Sequence, residues 1–219
     1  MDEKLYYLLV GTLFGTFLGW FLGLFSPIIS SFIMRVRQKS EIKKGIYNEL
    51  NEVKFRMALA VHQLSPHYTS YNRELLTWLQ PYFEEHDRFY PGKNFAERNK
   101  RILEGLTDEQ FDVVSAKNIS EKPQPGYHLK QYSLPFLECH MGSLAIFDAK
   151  FQRKLMEIRT QISLLNEEIS LSRFYFEKTF DNLSERNYLI INNNISETYQ
   201  NIAGMLRRIA DKINSFIDN

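Results

Sequence analysis

The chain has 219 residues, and its 27 Lys and Arg nearly match its 26 Asp and Glu, for a net charge of +1. That balance argues against a dedicated nucleic-acid binder, which carries a strong basic excess. Cys139 is the only cysteine, so an intramolecular disulfide is excluded, in keeping with a reducing compartment.

From Leu5 to Met34 there is no charged residue. About 20 apolar residues cross a bilayer core at 1.5 Å rise per residue, so this run predicts a transmembrane helix with some tilt. A secretory signal fits less well. Met1-Asp2-Glu3-Lys4 has little positive charge, the apolar run is too long for a signal core, and no small-x-small cleavage pattern follows. Beyond the run come Arg35, Arg37, Lys39, Lys43 and Lys44, against Glu41 alone. The positive-inside rule then places the C-terminal part in the cytoplasm, giving a transmembrane helix over 1–34 and a cytoplasmic domain over 35–219. Tyr6 and Tyr7 are expected at the outer interface. The basic residues also suit anionic lipid headgroups, at roughly 1 kcal/mol each near the surface.

Within the same run Gly11, Gly15, Gly19 and Gly23 recur every fourth residue, with Pro27 and Ser31 continuing the row. Residues four apart stack on one helix face. A face without bulky side chains lets a second backbone approach, which supplies packing where lipid removes the hydrophobic drive. The row therefore predicts helix–helix packing, with the partner either a second copy or another protein. Abundant glycine in membrane helices is the plainer alternative. Pro27 leaves the Gly23 carbonyl without its helical donor and predicts a kink.

The rest of the chain reads as all-α. Ile46, Leu50, Val53, Met57, Ala60 and Leu64 follow 4-3 spacing, in a helix expected to continue from the membrane segment and to stop before Pro66. Tyr71 to Phe83 predicts a short amphipathic helix ending near Pro81 to Pro91, and Phe95 to Leu106 another. Thr107-Asp108-Glu109-Gln110 reads as the cap and acidic first turn of a third. Asn118 to Pro135 is the clearest loop, with Pro123, Pro125 and Gly126. Two long apolar rows follow, Phe151, Leu155, Ile158, Ile162, Leu165 and Ile169, then Ile195, Tyr199, Ile202, Leu206, Ile209, Ile213 and Phe216. The polar stretch Asp181 to Asn187 between them predicts an antiparallel hairpin, and the whole an up-and-down bundle of coiled-coil-like helices.

Catalytic and metal-binding patterns are sparse. Glu84-Glu85-His86-Asp87 lacks the second histidine that a helical zinc site needs, and reads as a solvated charge run. Cys139-His140 has no CxxC partner and reads as structural or surface. No phosphate-binding glycine loop follows a strand. Arg207-Arg208 reads as favourable charge near a helix C-terminus. Neither a cofactor nor an enzymatic activity is expected, with one alternative: Arg56 and His62 match the Arg-x(4–6)-His spacing of the HEPN ribonucleases. That resemblance implies His62 as acid/base and Arg56 as stabiliser of phosphate charge. A surface arginine and a half-buried histidine are the competing reading.

In layout, the glycine row Gly11 to Gly23, the basic exit Arg35 to Lys44 and the Arg56/His62 pair resemble single-pass membrane effectors and accessories of bacterial phage-defence and type VI CRISPR loci. The resemblance implies homo-oligomerisation in the inner membrane and membrane perturbation during infection. The expected function is thus a homo-oligomeric membrane effector or pore, with membrane lipids and its own copies as partners. Thr12 and Thr16 are candidates to line a narrow path, and the phenylalanines to face lipid. A membrane-tethered scaffold or sensor for a protein partner is the alternative.

Overall fold

The computed structural model describes residues 3–89, 92–113 and 129–218, without the side chains of residues 3–6, 8–10, 22, 24, 27, 28 and 89. Pro91 and most of the predicted loop, with Asn118, Pro123, Pro125 and Gly126, lie outside the described residues. Among the described residues the secondary structure is helical and without strands. It runs α1 (Glu3–Tyr68), α2 (Arg73–Phe89), α3 (Phe95–Gly105), α4 (108–113, where the described stretch ends) and α5 (Pro135–Cys139). A 3₁₀ turn at Met141–Ile146, α6 (Ala149–Lys178) and α7 (Glu185–Ile217) complete it. The chain divides into two compact units, residues 1–45 and 46–219.

In the first unit the backbone is helical from residue 3 onward, and the helical run is unbroken at Pro27. Its large apolar side chains, where described, are exposed. Among the described residues no helix is long and apolar enough to cross a membrane. Of the predicted span, Leu5, Tyr6, Leu8, Leu9, Val10, Leu22, Leu24, Pro27 and Ile28 lie outside the described side chains.

The second unit is an all-α bundle built on the three predicted rows. Every member of those rows is buried except Phe151, which is half-buried. α6 and α7 form the predicted antiparallel hairpin: Phe151 meets Phe216 at 5.0 Å, and six residues further along α6 Glu157 pairs with Lys212 at 3.1 Å. Ser184 caps α7 by accepting from the Asn187 amide, and Asp148 caps α6 by accepting from that of Phe151. α1 runs antiparallel to α7, with Tyr47 against Phe216 at one end and Tyr68 against Tyr199 at the other. α2 descends along α1, pairing His62 with Phe83 and Phe55 with His86. The up-and-down order is therefore α1, α2, α6, α7.

Between α2 and α6 the chain wraps this frame. Gly92 at φ +99° and Asn94 at φ +55° turn it tightly into α3, whose buried Asn99 donates to the Leu76 carbonyl and to Gln80 on α2. Thr107 caps α4, as the sequence predicts, and Gln110 accepts from the Thr107 amide in return, completing a capping box. Residues 129–134 then run without regular secondary structure beside α6, where the Asn166 amide bonds both the N–H and C=O of Tyr132. Glu49 of α1 accepts from the Phe136 and Leu137 amides, capping α5 from a distance in sequence.

One helix end differs from expectation: α1 passes Pro66 and ends at Tyr68. α2 passes Pro81 and ends at Phe89, within the predicted stretch from Pro81 to Pro91. A helical proline forfeits one backbone hydrogen bond and costs about 3 kcal/mol. Burial around each one offsets that cost: Leu64 and Tyr68 pack inside on either side of the first, and Tyr82 and Phe83 directly after the second.

Candidate functional site

Within residues 1–45 the glycine row lies bare. A Cβ built at Gly11, Gly15, Gly19 or Gly23 would have no neighbour within 4 Å. Two positions on from three of these glycines, about 200° around the helix, stand Phe17, Phe21 and Phe25. Their rings form a ladder, with centroids 6.2 Å and 4.5 Å apart. One face is thus stripped to backbone and the opposite face carries aromatic bulk. The Thr16 hydroxyl donates to the Thr12 carbonyl at 2.7 Å, turned back on its own helix. Arg35, Arg37, Lys39, Lys43 and Lys44 all keep solvent access, and Arg37 reaches Glu41 at 2.9 Å.

In the second unit Arg56 and His62 share α1 but not a face. Six residues place them about 120° apart around a helix. The Arg56 guanidinium sits 5.2 Å from the centre of the Tyr132 ring, in the segment before α5. His62 turns to the α2 side, against Tyr71 at 6.0 Å and Phe83 at 5.8 Å. Its Nδ1 is buried and makes no hydrogen bond among the described residues. Burial holds the imidazole below its ordinary pKa, favouring the neutral form. Burial likewise pushes the Tyr132 hydroxyl up to about 12, with Arg56 opposing.

The most developed polar arrangement joins α1, α2 and α7. Lys54, 3% exposed, donates to Glu85 at 2.7 Å and to Asn214 at 3.1 Å. Beside it Asp211 accepts from the Tyr82 hydroxyl at 2.9 Å and from the Trp78 indole at 2.7 Å. Arg207 lies 5.3 Å over the Trp78 ring and pairs with Glu74 at 2.8 Å. Burial first, and then the bond to Asp211, hold the Tyr82 phenol well above its ordinary range. This seam ties three helices together, with Lys54 as its buried charge. The sequence carries one sign of it: Lys54 stands four residues after Leu50 and three before Met57, on the buried arc of α1.

Two sequence readings change here. The run Glu84 to Asp87 is not a solvated charge run. Only Glu84 is exposed, while Glu85 reaches Lys54, His86 stacks on Phe55 at 3.6 Å and Asp87 accepts from the Ala96 amide. Stacking and capping draw these groups inward because α1 and α3 flank α2 at that level. Arg207 and Arg208 do not serve a helix C-terminus, since α7 runs on to Ile217. Arg207 spans to α2, and Arg208 donates to the Gly204 carbonyl. Cys139 is exposed, as one of its two readings had it, and His140 stacks on Phe136 at 4.2 Å.

A cleft of about 600 Å³ opens between α2, α4 and α7, lined among others by Arg73, Thr77, Trp78, Asp108 and Arg207. Both arginines are committed: Arg73 holds Asp108 and the Leu103 and Leu106 carbonyls, and Arg207 holds Glu74. The cleft is a clasp between elements, its two cations spent on contacts within the bundle. Among the described residues no three His, Cys, Asp or Glu converge as metal ligands. No family model, no curated protein and no solved structure matches the chain.

Proposed function

We propose that the chain is a single-pass protein of the bacterial inner membrane. In this reading the Leu5–Met34 helix packs against copies of itself through Gly11, Gly15, Gly19 and Gly23, and the assembly perturbs the bilayer or opens a pore. The observation that carries it is the division of that helix into a bare glycine face and an opposed phenylalanine ladder. The glycine face admits a neighbouring backbone; the aromatic face suits lipid. Exposure of the large apolar side chains described between Tyr7 and Val36, at 41% to 70%, fits a segment whose surroundings come from outside the chain. The basic residues from Arg35 to Lys44 suit the anionic inner leaflet. A role in antiphage defence follows from the resemblance in layout.

No charged residue lies between Leu5 and Met34, so a pore here is apolar and gates by dewetting. A ribonuclease reading gains no support from Arg56 and His62, which address different neighbours. The test is the mass of the full chain in detergent together with ion leakage from vesicles. Several copies per particle and measurable leakage are expected, both lost in Gly15→Leu/Gly19→Leu. A monomer, or a double variant that assembles and leaks unchanged, overturns the proposal. A fixed stoichiometry with a different protein in native membranes favours a tethered scaffold instead.

A further inference from the structure

We draw no further inference here: the strongest candidate, the exposed apolar surface at the tip of the α6–α7 hairpin with Phe174 of α6 and Tyr188, Leu189 and Ile190 of α7, is spread over more than one face of the hairpin, and nothing in the structure shows what covers it.

Discussion

Helix α1 carries two sets of apolar side chains with opposite fates. Ile46, Leu50, Met57 and Leu64 have no exposed surface, whereas Leu13, Phe14, Trp20 and Phe32 are 62% to 67% exposed. Hydrophobicity does not separate them; patterning does. The buried set follows 4-3 spacing with polar residues between, so one stripe of the helix finds partners in α2, α6 and α7. The exposed set is apolar nearly all round, interrupted only by the glycine row and by Thr and Ser. No stripe is singled out. The buried core and the exposed apolar stretch are written in different periodicities.

The sharpest way to break this comparison is to open the completed core. Leu206 is fully buried at the centre of the α7 row. Leu206→Ala is expected to cost about 3–4 kcal/mol in chemical unfolding of the bundle, transfer and cavity terms together. A loss under about 1 kcal/mol would mean that the bundle is loosely packed and that the contrast with residues 1–45 is one of degree.

The polar seam offers a smaller effect with a diagnostic sign. Lys54→Ala strands the Glu85 carboxylate, which is a third exposed, and is expected to cost about 2–3 kcal/mol. Lys54→Met/Glu85→Leu removes both charges and is expected to recover most of that loss, because a buried pair contributes less than the penalty for halving it. If the double variant stays as unstable as the single one, Lys54 acts chiefly through Asn214 and not through Glu85.

Much of the bundle is legible in the sequence because the 4-3 rows state which faces meet. The α6–α7 hairpin follows from two such rows and a short polar connection, and the α4 cap from Thr107. What escapes is long-range. Glu49 caps α5 across more than eighty positions, and Asn166 satisfies both backbone groups of Tyr132; neither partner shows in local pattern. Pro66 reads as a stop because proline breaks an isolated helix, while tertiary burial decides inside a bundle. The acidic run Glu84 to Asp87 reads as solvated because charge is scored without its neighbours, and here Lys54, Phe55 and the α3 amide supply them. Of the candidate site, the glycine row and basic exit are plain in the sequence. Lys54 is visible only as a charge out of place on an apolar arc.

A smaller effect comes from pH. Burial sets the folded-state pKa of His62 below its ordinary 6.5. As pH falls through about 6.5 the unfolded chain binds a proton that the folded chain refuses. The stability associated with this group is therefore complete above that pH and is lost as pH falls. His62→Phe is expected to flatten the fall in melting temperature between about pH 7.5 and 5.5 relative to the unmodified chain. An unchanged slope would assign the acid sensitivity to other groups and leave His62 an inert core ring.

The smallest expected effect tests the other side of the comparison. Phe17 is 60% exposed and lies in the first unit. Phe17→Ala is therefore expected to move the unfolding free energy of the bundle by less than about 0.5 kcal/mol. What replaces a stability readout there is the environment of Trp20, which becomes the only tryptophan once Trp78→Phe is introduced. At 62% exposed within the chain, Trp20 emits at long wavelength if water surrounds it and shifts to shorter wavelength if lipid or a neighbouring helix does. A blue shift on reconstitution into vesicles, with quenching by lipid-borne quenchers, is the expected result. Emission that stays at the water-exposed wavelength would leave residues 1–45 apolar but uncovered, and would remove the membrane from the account of why this half of α1 is written as it is.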